Sequence, residues 1–286
     1  MRAGELIARC TFPAPGTPVH CAVSGGADSM ALLLLACEAA LDVTVHHVDH
    51  GLRPGSSHDV DVIAPVAERL GARLVVHTVD VPHGPNLEAR AREARKAVLP
   101  AGTMTGHTAD DQAETVLINL LRGASAHGLA AMRPSHERPL LALRRTETRA
   151  LCEHHGIVAV DDETNTDPRF LRNRVRHELL PLIADVSGRD PVPILSRASD
   201  LLRDDDDLLD ELASTIDPTD APALARAPLP LARRAIRAWL ADPYPPDLAT
   251  VERVLRVARG EVSGCDVGDN RQVRRSKQRM SLHRVR

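Results

Sequence analysis

Ser24-Gly25-Gly26-Ala27-Asp28-Ser29 follows a short apolar, β-branched run and opens a long apolar segment with helical spacing. Two adjacent glycines let the backbone turn tightly and approach a phosphate. The free N–H groups of a helix start and the hydroxyls of Ser24 and Ser29 would supply hydrogen-bond donors. We therefore expect a phosphate-binding turn between a strand and a helix, in preference to a glycine turn that is only capped by Asp28 or Ser29.

The segments around this motif alternate short β-branched runs with longer helical patterns, which is typical of a parallel sheet covered by helices. Strands are predicted over residues 19–23, 43–48, 73–79 and 103–106. Helices are predicted over residues 28–39, 58–70, 86–98 and 110–122. The predicted fold class is α/β, a doubly wound parallel sheet whose ligands lie beyond the carboxyl ends of the strands.

The second half of the chain has a different pattern. A basic stretch leads into Ser187-Gly188-Arg189-Asp190-Pro191, and residues 194–212, 229–240 and 248–259 then have helical apolar spacing. Residues 264–286 alternate polar and apolar side chains and are rich in arginine. We predict a catalytic domain over residues 1–186 and a smaller, mainly helical domain over residues 187–286, whose basic tail contacts RNA.

Composition limits the class of protein. The 36 basic and 39 acidic residues give a net charge of −3, so any attraction to nucleic acid must come from local clusters. The five cysteines form no Cys-x-x-Cys pair, which favours a reducing compartment and argues against zinc or iron–sulfur sites. No apolar stretch is long enough to cross a bilayer, so we expect a cytoplasmic protein without a membrane partner.

Two further motifs follow predicted strands. Val48-Asp49-His50-Gly51-Leu52-Arg53-Pro54 lies where the adenosine end of a nucleotide should rest, and strand alternation places His46 and His50 on one face and His47 on the other. In the second motif, residues 106–115, Asp111 and Glu114 share one helix face and should direct two carboxylates into the cleft. Helix capping would account for one acid, but not for both acids and His107 together.

These motifs together, with residues 120–124 and Leu171-Arg172-Asn173-Arg174-Val175-Arg176-His177, resemble the tRNA(Ile)-lysidine synthetases. That family is part of the ATP pyrophosphatase superfamily with the adenine nucleotide alpha hydrolase-like fold. The resemblance implies that ATP adenylates the wobble cytidine of a tRNA(Ile) with a CAU anticodon. Free L-lysine then displaces AMP, and Mg²⁺ accompanies the ATP. The sequence allows a homodimer among other assemblies.

Candidate site residues follow from the motifs and from the resemblance. The predicted catalytic residues are Asp28, His107, Asp111 and Glu114. ATP is assigned to Ser24, Gly25, Gly26, Ala27, Asp28 and Ser29 of the loop, with His50 and Arg53. Lysine or tRNA is assigned to Asp111, Glu114, Arg172, Arg174 and Arg176. The arginines alternate along a predicted helix, so at most two can share a face, and they could instead be part of a solvated basic surface. Asp28 and Asp111 are the candidate Mg²⁺ ligands.

Three departures from the family and three alternative functions stay open. Asp49 stands where the family usually has asparagine, and Lys96 stands where it often has an aromatic residue. The C-terminal part is also short for tRNA recognition. A tRNA thiolase of the same superfamily would usually bring catalytic or cluster-binding cysteines. A small-molecule amidating synthetase would need an ammonia source, and an RNA-binding module would have lost the use of its ATP site.

Overall fold

The computed structural model describes residues 3–49, 59–80, 87–160 and 167–284. The chain contains two compact units, Met1–Asp200 and Leu201–Arg286, which divide inside one long helix. The predicted domain boundary after residue 186 lies shortly before that helix. Within the described residues, no helix is both long and apolar enough to cross a bilayer.

The sheet of the first unit contains three parallel strands. They are β1 (Pro18–Ala22), β2 (Asp42–Asp49) and β3 (Arg73–Thr78), in the order β1-β2-β3. The predicted fourth strand is reduced to one bridge, in which Met104 pairs in parallel with Cys21 on the other side of β1. The ladder stops there because the Thr105 N–H donates to the Glu137 carbonyl instead. The order of chain segments therefore reverses at β1, which is where such sheets bind ligands.

Nine helices of the described chain belong wholly to the first unit. They are α1 (Ala3–Ile7), α2 (Ala27–Glu38), α3 (Asp59–Arg69), α4 (Leu87–Val98), α5 (Ala109–Leu121), α6 (Ala126–Leu129), α7 (Arg145–His154), α8 (Leu171–Arg174) and α9 (Leu180–Ser187). Helix α2 is buried continuously from Ser29 to Ala36, because it is apolar on all sides. It packs against α7 and the strands, and Cys21, Val45 and Leu151 belong to the same core.

The predicted helices correspond to α2, α3, α4 and α5, whereas α7 was not predicted. Helix α7 has only ten residues and many charged side chains, so its apolar face is short. A π-helical turn, Val175–Leu179, separates α8 from α9 within the basic stretch. Such turns often occur at functional sites.

The second unit contains the end of α10 (Pro191–Ser214) and three further helices, α11 (Ala221–Arg226), α12 (Leu229–Trp239) and α13 (Leu248–Arg259). An antiparallel sheet follows, β4 (Gly264–Gly268), β5 (Arg271–Ser276) and β6 (Arg279–Arg284). The predicted basic tail is therefore a folded sheet. Its polar and apolar alternation places Val273 and Met280 in the core of the unit, where they are 0% and 3% exposed.

Candidate active site

A cleft of about 950 Å³ opens at the carboxyl ends of β1 and β2. Its walls include residues of the phosphate loop (residues 24–29), the end of β2, the starts of α5 and α7, and residues 157–160. All of these belong to the first unit. Beyond the strand ends is the position that the sheet topology predicts for a ligand.

Hydrogen bonds within the phosphate loop fix its shape. The Ser29 hydroxyl donates to the Gly26 carbonyl at 2.8 Å and accepts from the Ser24 N–H at 3.1 Å. Gly25 has a φ of +84°, in the left-handed region that favours glycine. Ser29 is buried and holds the loop, whereas Ser24 is exposed and lines the cleft. Of the two predicted hydroxyl donors, Ser24 is therefore the better placed for a ligand.

Gly106 allows the second acidic motif to approach this loop closely. A Cβ at Gly106 would lie 2.6 Å from the Asp28 carbonyl oxygen, a separation that real side chains do not adopt. Any larger residue would push Asp28 and the start of α5 apart. The glycine is therefore needed to bring the loop acid and the acids of α5 into one cleft.

Arg145, the first residue of α7, binds all three of the predicted acids. Its Nε lies 3.2 Å from Asp28 Oδ2, its Nη2 lies 2.9 Å from Asp111 Oδ1, and its Nη1 lies 3.1 Å from Glu114 Oε1. The other oxygen of Asp28 accepts a hydrogen bond from the Thr148 hydroxyl, one turn further along α7. Helix α7 therefore links the phosphate loop to α5.

Two arginines of the basic stretch complete the arrangement. Arg172 Nε lies 2.8 Å from Glu114 Oε2, and Arg176 Nε lies 2.7 Å from Glu114 Oε1. The Glu114 side chain is 0% exposed. We call these residues the charged cluster: Asp28, Asp111, Glu114, Arg145, Arg172 and Arg176. Its three carboxylates and three guanidinium groups cancel in formal charge.

The third predicted arginine does not join the charged cluster. Arg174 pairs with Glu178 one turn along the helix, at 2.9 Å, and its side chain is 58% exposed. Arg172 and Arg176 are four residues apart and share a face, whereas Arg174 lies on another. The sequence had indicated that at most two of the three arginines could share a face.

The electrostatics of the charged cluster differ between its acids. Burial raises the pKa of Asp28, although Thr148 and Arg145 oppose the shift. Burial also disfavours ionised Asp111, but Arg145 and Arg172, with the Thr108 N–H, hold its pKa below the usual range. Burial would lower the pKa of Arg145, yet the surrounding carboxylates raise it. Arg145 therefore remains charged, and Asp28 protonates more readily than Asp111.

His107 lies in the same cleft, with Nδ1 2.8 Å from the Thr105 hydroxyl oxygen. Burial lowers its pKa to about 4, against a smaller opposing effect of Asp111. The ring is therefore neutral near neutral pH and can accept a proton. His50 and Arg53, which were assigned to ATP, lie outside the described residues.

The histidines of β2 point to opposite faces of the sheet. His46 Nε2 lies 2.9 Å from His20 Nδ1, and His46 Nδ1 lies 2.9 Å from His77 Nε2. Three imidazoles thus form a hydrogen-bonded row across the three strands. His47 faces the other side, where Nδ1 lies 2.9 Å from the Val23 carbonyl oxygen. Alternation along the strand had predicted these opposite orientations.

Arg145 and Thr148 were not identified from the sequence. The available signal was weak: an arginine in the first turn of a helix is unfavourable to the helix dipole, so it needs an acidic partner elsewhere. The position of Arg145 at a helix start is informative only if α7 is predicted, and the sequence pattern did not predict it. No spacing rule connects Arg145 to acids more than thirty residues away along the chain.

Comparison with known proteins identifies the class of domain to which the first unit belongs. Residues 5–183 match the family model of the PP-loop domain, so the first unit contains a PP-loop domain. The fold also resembles that of the U34-tRNA thiolase NcsA from Methanococcus maripaludis, with a TM-score of 0.55. That match has 16% identity and covers 70% of this chain and 78% of the other, so it supports the fold alone.

The closer sequence similarity is to curated tRNA(Ile)-lysidine synthases. The protein of that name from Nocardia farcinica is 40% identical, over 96% of this chain and 94% of its own length. Its counterpart from Rhodococcus erythropolis is 43% identical, over 79% of this chain and 74% of its own. The chain belongs to the tRNA(Ile)-lysidine synthase family.

Proposed function

We propose that this chain ligates free L-lysine to C2 of the wobble cytidine in a tRNA(Ile) with a CAU anticodon, at the expense of ATP. The similarity to tRNA(Ile)-lysidine synthases over nearly the whole chain carries the proposal. The geometry of the first unit supports it. Asp28 belongs both to the phosphate loop and to the charged cluster, so the nucleotide and the reacting base would meet in one cleft.

The proposed reaction has two steps. The C2 oxygen of cytosine forms a bond to the α-phosphorus of ATP, and the bond from that phosphorus to the bridging oxygen breaks, which releases pyrophosphate. The lysine ε-nitrogen then forms a bond to C2, the bond from C2 to its oxygen breaks, and AMP leaves. The lysine ammonium group loses protons in the process, so a base in the cleft is required.

In the first step, the phosphate loop would bind the β- and γ-phosphates. Ser24 lines the cleft, and the N–H groups at the start of α2 lack partners within the helix, as at every helix start. Arg145 and Arg176 line the cleft and Arg172 binds the same acids, so all three can neutralise phosphate charge. Because each now binds a carboxylate, phosphate contacts would be made in exchange for some of the contacts to Asp28, Asp111 or Glu114.

In the second step, Asp111 and Glu114 would bind the lysine cation. In the structure both acids accept from guanidinium groups, and the two oxygens of Glu114 are each within 3.2 Å of an arginine nitrogen. Lysine would therefore bind by replacing an arginine contact. Neutral His107 is the proposed acceptor of the proton that the amine loses.

The oxygen ligands of Asp28 and Asp111 suit Mg²⁺, which prefers carboxylates and waters. Asp28 fits better, because it adjoins the phosphate loop and its side chain is 24% exposed. Asp111 is 12% exposed, its Oδ2 accepts from the Thr108 N–H and hydroxyl at the start of α5, and its Oδ1 accepts from Arg145. When bound, Mg²⁺ would offset the charge of the triphosphate.

The described cysteines do not favour the thiolase alternative. Cys152 lines the cleft, but its thiol donates to the Ala27 carbonyl at 3.3 Å, and burial raises its pKa to about 11. A thiol of that kind is a poor nucleophile and a poor metal ligand near neutral pH. Lysine transfer needs no thiolate, so it agrees better with this cleft.

The test is mass spectrometry of nucleosides from a tRNA(Ile) transcript incubated with the protein, ATP and lysine. We expect lysidine, with AMP released in equal amount. Asp28→Asn should abolish AMP release while the protein stays folded, and Arg174→Gln serves as the control outside the cleft. No lysidine with wild-type protein, or AMP release without any modified nucleoside, would overturn the proposal.

A further inference from the structure

His47 carries a buried polar atom that the reaction outlined above does not use. Its side chain is on the face of β2 that packs against the core, and the residue is 3% exposed. Nδ1 lies 2.9 Å from the Val23 carbonyl oxygen. Since a carbonyl can only accept, Nδ1 must donate, and in the neutral ring Nε2 is then a bare acceptor. Among the described residues, Nε2 has no hydrogen-bond partner.

An unpaired buried acceptor is uncommon, because it loses its hydrogen bond to water and gains nothing in return. His47 contrasts with its neighbour His46, whose two nitrogens both bind other histidines. His47 also lines the cleft, and its ring is fixed to the residue that immediately precedes the phosphate loop. His47 therefore stands at the wall of the nucleotide site with a buried lone pair that no described residue satisfies.

We infer that Nε2 of His47 accepts a hydrogen bond from a donor group on the nucleoside part of ATP. This inference rests on the proposed ATP site. The ionised phosphate oxygens are acceptors and cannot pair with a lone pair, whereas the nucleoside carries donors, the adenine amine and the ribose hydroxyls. The side chain belongs to β2, which pairs with β1, the strand that leads into the phosphate loop. His47 is thus assigned as a specificity residue for the nucleoside.

Two variants separate this role from support of the loop. His47→Asn retains an amide near the position of Nδ1, which can still donate to Val23, but has no atom at the position of Nε2. His47→Gln extends an amide oxygen to the position of Nε2 and loses the donor to Val23. If the free lone pair matters, only the glutamine variant should keep nucleoside discrimination.

The experiment is calorimetric titration of each protein with ATP, 2′-deoxy-ATP, 3′-deoxy-ATP, the triphosphate of purine riboside, and inorganic tripolyphosphate. Wild-type protein should bind one nucleoside analogue about two- to tenfold more weakly than ATP, the effect of one neutral hydrogen bond. That analogue identifies the donor. His47→Asn should bind the same analogue and ATP equally, with tripolyphosphate binding unchanged, and His47→Gln should restore part of the difference.

Three results would overturn the inference. The first is that His47→Asn retains every preference of the wild type, and the second is that wild-type protein prefers ATP over none of the analogues. The third is that the asparagine variant loses affinity equally for tripolyphosphate. The last result would show that the ring acts on phosphate. Failure of the proposed function looks different, because wild-type protein would then form no lysidine in the nucleoside assay, whatever its preference among these nucleotides.

Discussion

Replacing Arg145 with alanine is the sharpest test of the charged cluster, because one side chain contacts all three acids. The contacts measure 2.9–3.2 Å, and the side chains involved are 0–24% exposed. Arg145→Ala changes the formal charge of the cluster from zero to −1. It leaves Asp28 with Thr148 and leaves Glu114 with two arginines.

Removing one partner of a buried ion pair costs about 3–5 kcal/mol, since the other charge is left without compensation. Asp28 is partly open to solvent, so we expect the lower end, a loss of about 3 kcal/mol in the free energy of unfolding. Arg145→Lys keeps the charge but not the fork of donors, and should lose less.

The loss should depend on pH. The pKa of Asp111 is lowered in the folded protein, so its ionised form adds stability above the pKa of the unfolded chain, about 3.9. That stability disappears as the pH falls through the lower, folded pKa. The effect of Arg145→Ala should therefore be complete at neutral pH and should shrink as the acids protonate.

The assay is urea denaturation followed by far-ultraviolet circular dichroism at neutral pH and at a series of pH values below the unfolded pKa of about 3.9. Trp239, the only tryptophan, belongs to the second unit, so its fluorescence reports that unit separately. Arg174→Ala is the matched control, because Arg174 forms only an exposed pair with Glu178. If Arg145→Ala were no less stable than this control, the charged cluster would not hold the cleft together.

Three further predictions concern the chemistry and the RNA. Glu114→Gln should raise the KM for lysine about ten- to a hundredfold, the effect of losing a charge-assisted contact, with a smaller change for ATP; equal changes in both would contradict direct lysine binding. The rate of lysine transfer should fall as the pH drops through about 4, where His107 gains a proton, and His107→Gln should remove that dependence. Replacing the exposed Arg274, Lys277 and Arg284 with glutamine should weaken tRNA binding and reduce its salt dependence by about 0.7–0.9 log units per lost phosphate contact. An unchanged salt dependence would show that the second unit's sheet does not bind the RNA.

The last of these predictions uses substitution, not truncation, for a structural reason. Removing the chain from Arg271 onward would delete β5 and β6, and with them Val273 and Met280 from the core. Loss of tRNA binding would then report unfolding of the second unit. The polar and apolar alternation of this segment has the period of two that is typical of strands, so the sequence contained the signal for this sheet. Its many arginines had instead indicated a basic tail that contacts RNA.

The parallel sheet and the phosphate loop were predictable because each depends on local signals. β-branched runs, helical apolar spacing and adjacent glycines act over a few residues, and they located β1, α2, β2 and α5 to within one or two residues. Residues 103–106 were predicted as a strand for the same reason. Only one bridge forms there, because the Thr105 N–H donates to the Glu137 carbonyl and not to β1. Local sequence signals cannot predict a partner so far away along the chain.

The charged cluster was only half predictable. The acids stand in recognisable motifs, and the i, i+4 spacing of Arg172 and Arg176 put them on one face. Arg145 is part of no motif, and its three partners come from two other helices. Sequence patterns report which side chains share an element, whereas pairing between elements is decided by how α7 packs against α2 and α5.

The neutrality of the charged cluster has a consequence for the order of substrate binding. With three acids and three arginines in contact, lysine meets no unpaired carboxylate within the charged cluster, and its ammonium group must compete with guanidinium donors at Glu114. A triphosphate in the loop offers Arg145 and its neighbours an alternative anion, which would release carboxylate oxygens toward the cleft.

Lysine should therefore bind more tightly when ATP is present, and by reciprocity ATP should bind more tightly when lysine is present. Calorimetric titration of lysine with and without a non-hydrolysable ATP analogue measures this coupling. Equal lysine affinities in the two titrations would mean that the arginines stay with their acids, and that the lysine cation binds outside the charged cluster.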